Sequence, residues 1–330
     1  MRARPGELLA GLLVLGAVAG FARLLGGAIP LVSPLVIAVG TGAVIGNAVG
    51  RPSRAAAGIG THKLLLETAI VLLGVSFSLD AVLRAGPRLA ALVVGVVAVG
   101  LLVVEAIARF AGLNARMGSL LAAGASVCGV SAIAASSSAC GAEDAEVAHA
   151  AATVLLFDAV TLVAFPALGR AFGIDPRTFG IWAGLAMFST GPVAAAGFAH
   201  SAVAGRWATV TKLTRNALIG VVAGVLSVRY AATRDGERDW SLGRIWTDFP
   251  KFLVGFLILA ALSATGAIPS PAETTLAAVS DGLFLLAFAG LGFDIRYERM
   301  RDAGLRPVAV VGAALAFVGA LAFLAVRWLL

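Results

Sequence analysis

Lys212 and Arg215 stand three residues apart in the stretch Thr211-Lys-Leu-Thr-Arg-Asn216, so on a helix they share one face. The surrounding residues are apolar enough to lie in a membrane. Two cations there can neutralise an anionic ligand, with Thr211 and Asn216 as neutral partners. The alternative is that both side chains snorkel to an interface. Asp158, in Leu155-Leu-Phe-Asp158, falls midway along another apolar run. A carboxyl at that depth is costly unless it faces a cavity or a partner. It can carry a coupling proton, or it can tie two helices together as a structural group.

Two further stretches are unusually rich in small and hydroxylated residues. The first is Gly124-Ala-Ser-Val-Cys-Gly-Val-Ser131, which continues to Cys140. A helix broken near Gly129 would present free N–H groups and a positive dipole end to a ligand, an arrangement suited to an anion. Ser126, Cys128, Gly129 and Ser131 are therefore candidate binding residues. An unbroken helix with tightly packed small residues is the alternative. The second stretch is Met187-Phe-Ser-Thr-Gly-Pro192, where Pro192 should kink the chain and Ser189, Thr190 and Gly191 line the opening. A purely structural kink is the alternative there.

The elements that position these residues follow from composition. The 330 residues are 60% hydrophobic and 13% charged, with mean hydropathy +0.97. About a quarter of a soluble domain is charged, so this chain has too little polar surface to coat a water-exposed globule. The class is an all-α polytopic membrane protein, read as a single transporter domain over 1–330. Eleven stretches approach the ~20 apolar residues a crossing needs: about 8–25, 29–49, 64–83, 89–111, 117–140, 146–170, 178–200, 207–230, 250–268, 274–296 and 305–329. One miscounted crossing would leave ten. The first, at about 8–25, reads as a peripheral uncleaved helix rather than a signal peptide. The polar stretch Thr233–Trp246 is a loop too short to be a domain.

Loop charges orient the chain. With the N-terminus inside, 18 of the 25 basic residues fall on inside ends and loops, including Arg109, Arg116, Arg170, Arg177 and Arg229. The acidic run Glu143–Glu146 then lies outside. This excess is the positive-inside pattern, and it accounts for the +7 net charge without nucleic acid. Two cysteines and three scattered histidines exclude a disulfide framework and supply no metal site, and no cofactor is expected.

Internal similarity is present. Gly74–Asp80, followed by Ala85-Gly86, matches Gly290–Ile295, followed by Ala303-Gly304, in segments running in opposite directions. A second match pairs Ser126–Gly129 and Ala152–Val154 with Ser189–Gly191 and Ala208–Val210. Under the eleven-segment count these helices run the same way, so either that match is chance or one crossing is miscounted. The expected architecture is an inverted repeat with broken helices crossing near Gly129 and Gly191.

In Leu72–Leu79 with Ala85-Gly86, Ser126-Val-Cys-Gly129 with Glu143–Glu146, Ala152–Phe157, Phe165–Leu168, Phe179–Gly184, Val193–Gly197 and Thr211–Arg215, the chain resembles a family of bacterial inner-membrane proteins that carries the label sulfate exporter. The likeness runs from about residue 30 to the C-terminus. It implies a place among the cation/proton antiporters and bile-acid-type transporters, whose broken helices cross near the bilayer midplane. One departure is Phe188-Ser-Thr-Gly-Pro192, where that family commonly has a histidine beside a polar neighbour.

The expected function is a secondary transporter that moves a small anion, sulfate or organosulfonate-like, by alternating access, with proton coupling through Asp158. A channel and a cation/proton antiporter are the rivals within transport. An intramembrane serine hydrolase is disfavoured because Val127 replaces the glycine expected after Ser126. The expected setting is the bacterial inner membrane with a cytoplasmic N-terminus. The expected partners are the bilayer and a small inorganic or organic anion, with a homodimer allowed.

Overall fold

The computed structural model describes residues 4–28, 34–50, 52–76, 79–231, 251–298 and 304–329. Thr233–Trp246, Arg2, Arg51, Arg299 and Arg301 lie outside the described residues, as do Phe77, Ser78 and Ala303 of the first repeat match. In chain order the helices are α1 (Pro5–Ala28), α2 (Pro34–Ala48), α3 (Ala56–Ile59), α4 (His62–Leu73), α5 (Leu79–Phe110), α6 (Ala115–Ala123), α7 (Gly129–Cys140), α8 (Asp144–Ala171), α9 (Pro176–Ala186), α10 (Thr190–His200), α11 (Ala202–Asn216), α12 (Ile219–Ala231), α13 (Lys251–Ala264), α14 (Ser270–Asp294) and α15 (Leu305–Leu329). There is no strand among the described residues. The chain is an all-α polytopic membrane protein, as its composition demands.

Among the described residues, seven helical stretches are long and apolar enough to cross a bilayer. The other four of the eleven expected segments are short (α2 and α13) or interrupted (α9/α10 and α11/α12). One boundary moves. Residues 84–88, expected as a loop, are helical within α5, with Pro87 inside the helix.

The chain divides into two compact units. One comprises Met1–Arg84, Phe198–Arg206 and Lys251–Tyr297. In it α14 packs on α2 and α4, and α1 on α2 and α3. Lipid supplies no hydrophobic drive between helices, so close backbone approach and polar ties hold them. A Cβ on Gly42 would strike the Ala289 carbonyl, and one on Gly292 the Val39 carbonyl, so these two helices touch backbone to backbone. Asn47 Nδ2 donates to the Ile295 carbonyl (2.7 Å) while its Oδ1 accepts from Tyr297 N–H (2.8 Å). His62 Nε2 lies 2.9 Å from Asp294 Oδ2, joining the start of α4 to the end of α14. Gly292→Ala is expected to lower the thermal midpoint of the detergent-solubilised protein, by an overpacking cost of about 1–3 kcal/mol. Gly282→Ala, where a Cβ meets open space, should leave it unchanged. Equal midpoints for the two variants would refute this account of the α2–α14 seam.

The other unit comprises Ala85–Gly197, Trp207–Pro250 and Glu298–Leu330. Its chain path differs from the expected one. α6 and α7 do not continue one another; they fold back as a helical hairpin. Asn114, which caps α6, donates from Nδ2 to Glu146 Oε1 (2.8 Å) at the start of α8, and a Cβ on Gly124 would meet the Ile133 side chain. A straight 117–140 helix would hold these ends more than 30 Å apart at 1.5 Å per residue. Glu146 also accepts from Glu143 N–H, closing a capping box that starts α8.

α8 then runs antiparallel to α7 and carries the chain to the opposite end of the unit. There Asp175 caps α9, its Oδ1 accepting from the N–H groups of Arg177 and Thr178. α9 returns along α8, with Phe165 stacked on Trp182 (4.3 Å) and Phe157 edge-on to Phe188. α9 and α10 fold back as a second hairpin. Arg177 lies 4.9 Å over the Trp207 ring, a Cβ on Gly184 would meet Thr211, and Arg215 reaches Gly184 to Met187. α11 therefore runs beside α9 in the same direction, which requires α10 to come back to the Arg177 end. After a turn at Ala217-Leu218, α12 continues to the Asn114 end. There Ser119 Oγ meets Tyr230 Oη (3.0 Å), and Arg229 pairs with Glu105 of α5. A Trp182 Nε1 bond to the Gly319 carbonyl (2.8 Å) fastens α15.

Segments 117–140 and 178–200 are thus hairpins that come in from opposite ends of the unit. The second sequence match, Ser126–Gly129 with Ala152–Val154 against Ser189–Gly191 with Ala208–Val210, now has opposite orientations in its two copies. Each copy is a hairpin tip followed by a crossing helix. The loop assignment changes with it: Arg170 and Arg177 stand at the opposite end of α8 from Arg109 and Arg116, and Glu143–Glu146 at the same end as those two.

Candidate functional site

The two hairpin tips meet halfway along α8. At the first, α6 widens into a π-turn over Gly124–Cys128 and the chain reverses at Gly129, with φ +55° and ψ −135°. Side chains with a Cβ rarely adopt that conformation. A Cβ on Gly129 would also collide with Ser189 Oγ of the second tip and with Val154 of α8. At the second tip the interruption covers Met187–Ser189, slightly before the expected position at Gly191. Pro192 does not kink a helix; it sits in the first turn of α10, where a missing N–H costs nothing. Gly129→Ala is expected to cost about 2 kcal/mol or more from backbone strain alone. Removing the Ser189 hydroxyl in Gly129→Ala/Ser189→Ala relieves only the collision, so thermal unfolding of the double variant should stay well below the parent. Full recovery would show that the backbone at Gly129 is unstrained.

Each tip sets two helix ends side by side. α6 with its π-turn, and α9, arrive with C-terminal carbonyls; α7 and α10 leave with N-terminal N–H groups. The guanidinium of Arg215 is 1% exposed and serves the carbonyl ends of both tips. Its Nε donates to the Ser126 carbonyl (3.2 Å) and Nη2 to Ala125 (3.1 Å). Its Nη1 faces the carbonyls of Gly184 (2.9 Å), Leu185 (2.5 Å) and Met187 (2.8 Å). One rigid fork of donors thus satisfies five main-chain oxygens that the helix breaks would otherwise strand in a dry interior.

Lys212, one turn earlier on α11 and fully buried, donates from Nζ to the Val127 carbonyl (2.7 Å). That leaves two further ammonium N–H groups. Asp158 Oδ1 accepts from Ser189 N–H (3.0 Å), placing the carboxylate at the start of α10. Asn216 Nδ2 donates to Thr190 Oγ1 (3.0 Å), which lies 3.7 Å from Cys128 Sγ. Asp158 Oδ2 and Asn216 Oδ1 are buried without a hydrogen-bond partner.

The residues expected from sequence are therefore gathered, with some redistribution. Cys128, Gly129, Ser189, Thr190, Gly191, Asp158 and Lys212 surround the meeting point of the tips. Ser131 is exposed, one position past Val130 in the first turn of α7. Ser126 contributes its carbonyl to Arg215, while its hydroxyl lies against Gly100 of α5 without a hydrogen-bond partner. Thr211 packs on Gly184. The sequence presents Asn216 only as a neutral partner of the cations and Glu146 only within the acidic run Glu143–Glu146, and it does not single out Glu105. Glu105 was readable as a carboxylate inside Leu101–Ile107. Nothing in the sequence pairs Glu146 with Asn114, 32 residues away.

The class that this fold and site define is a polytopic helical membrane protein with a polar centre built on the tips of two helical hairpins. Residues 10–311 match the family model described as conserved hypothetical protein 698. The chain is 32% identical to a UPF0324 membrane protein of Nitratidesulfovibrio vulgaris, over 88% of this chain and 83% of the relative. It is 32% identical to a UPF0324 membrane protein of Agrobacterium fabrum, over 88% and 82%. A further relative in Bradyrhizobium diazoefficiens is 30% identical, over 98% and 94%. The chain belongs to the UPF0324 membrane protein family. No solved structure matches it.

Proposed function

We propose that the chain is a secondary transporter for a small anion, bound where the two hairpin tips meet. The observation that carries this reading is the buried ammonium of Lys212 beside two helix N-termini, at the junction of hairpins that come from opposite ends. Irregular backbone at membrane depth is tolerated where it is buried in protein or lines a cavity. Discontinuous helices with N-termini directed at an anionic group are a recurrent carrier design. Arg215 neutralises the carbonyl ends, so the positive ends and Lys212 are left for the ligand. Two cations against one carboxylate make the centre net positive, which favours a ligand that presents an anionic group.

In this reading the tips alternate in admitting the ligand, so transport saturates, whereas an open channel would conduct in proportion to voltage. Asp158, joined to the second tip through Ser189, is the candidate for the coupling proton. The proposed setting is the bacterial inner membrane with the N-terminus cytoplasmic, the proposed cargo a sulfate- or organosulfonate-like anion, and all 330 residues serve one transport domain. The test is uptake of radiolabelled sulfate, sulfite, organosulfonates and small carboxylates into proteoliposomes, with thermal stabilisation of the purified protein by the same compounds. Saturable flux of at least one anion is expected. Ohmic conductance, or no stabilisation by any anion, would overturn the proposal.

A further inference from the structure

Two oxygens at the meeting of the tips lack a donor. Asp158 Oδ2 and Asn216 Oδ1 belong to side chains 4% and 3% exposed, and neither atom has a hydrogen-bond partner. Each group is anchored by its other end to adjacent residues of one tip: Asp158 Oδ1 to Ser189 N–H, and Asn216 Nδ2 to Thr190 Oγ1. They therefore converge on the start of the 11-residue α10. A buried polar atom without a partner has lost its water without compensation, so a donor supplied by a ligand is favoured there. Lys212, with two N–H groups beyond its bond to Val127, and the first N–H groups of the 12-residue α7 form the complementary donor set.

We infer that the ligand is a small zwitterion: an oxyanion carrying an ammonium group a few bonds away. This rests on the anion-transport reading above and narrows it. A bare anion would pair with Lys212 and the α7 N-terminus. It would leave both orphan oxygens without donors and add a negative charge near the Asp158 carboxylate. A bare cation would satisfy the two oxygens but add a third positive charge to Lys212 and Arg215. A zwitterion meets both halves and leaves the charge of the centre unchanged. Its ammonium donates to Asp158 Oδ2 and Asn216 Oδ1, and its oxyanion accepts from Lys212 and from α7. Gly129 of the first tip lies against Ser189 of the second, so the two halves of the site are close together and the spacer is short.

Matched pairs test this on the full-length purified protein. Thermal stabilisation is measured with 2-aminoethanesulfonate against ethanesulfonate, with β-alanine against propionate, and with sodium chloride against choline chloride. The amino member of each of the first two pairs is expected to bind at least ~10-fold more tightly, the scale of one charge-assisted hydrogen bond to a buried group, while sodium and choline are expected to behave alike. Asp158→Asn should abolish the difference within each pair while weak binding of both members persists, and Asn216→Leu should reduce it. Lys212→Met should lose both members. Equal binding within the pairs overturns the zwitterion and leaves the anion reading standing; binding of neither member removes both. Sodium stabilisation that depends on Asp158, with no preference for the amino compounds, overturns it in favour of a metal cation. Variants that do not purify are replaced by competition with the wild-type protein, 2-aminoethanesulfonate displacing labelled ethanesulfonate more than ~10-fold better than unlabelled ethanesulfonate does.

Discussion

Replacing Arg215 with methionine or lysine is expected to yield a protein that cannot be recovered folded, or one whose thermal midpoint collapses in detergent. Five carbonyls from two helix breaks converge on this one guanidinium, which is buried with them. Each stranded carbonyl costs about 1–3 kcal/mol, so even with relaxation the loss should exceed about 4 kcal/mol, a size reserved for broken buried networks. Lysine cannot substitute. It keeps the charge but offers three donors from one point, where the site uses a planar fork reaching both tips. The check is size-exclusion behaviour and thermal unfolding of the two variants beside wild type. A monodisperse Arg215→Lys protein of normal stability would show that the fork is dispensable.

Lys212, three residues away and buried as deeply, should behave in the opposite way. Its ammonium makes one hydrogen bond, to Val127, and is held in a place where an unpaired charge is expensive. Lys212→Met keeps the length and packing while removing that charge, so stability should hold or rise. Anion flux into proteoliposomes should fall by ~10- to 100-fold, the equivalent of one charge-assisted contact worth about 1.5–3 kcal/mol. Retained flux would remove Lys212 from the binding site. The pair of results is the sharper measurement: neighbouring cations on one helical face, one needed for the fold and the other for the cargo.

That division could not be read from Thr211–Asn216. A sequence displays a cation in an apolar stretch, but the partners of Arg215 are main-chain carbonyls, and every residue has one. What set these carbonyls apart is that two helices stop beside them. The stop itself was legible: the small residues of Gly124–Ser131 and the Gly191-Pro192 pair marked both interruptions to within a few positions. The direction of the chain afterwards was not. Hydropathy registers length and apolarity, and Ala115–Ser137 passes on both counts, so a hairpin and a crossing look alike. The doubling back depends on contacts such as Asn114–Glu146 and Arg177–Trp207, between residues distant in sequence. The short repeat was the one trace of it. Its two copies ran the same way on a count of crossings, and that discrepancy is removed once neither hairpin crosses.

The Arg215 fork also orders events in time. The carbonyl of Ala125 is synthesised 90 residues before the guanidinium that receives it. At about 5–20 residues per second, the first hairpin tip waits several seconds or more for the two cations of α11 that bond its carbonyls. The second tip, 28–31 residues upstream of Arg215, waits far less. Until α11 is made, these carbonyls lack the side chains that receive them in the finished fold, so the centre is completed by a helix encoded two helices downstream of the second tip's first leg.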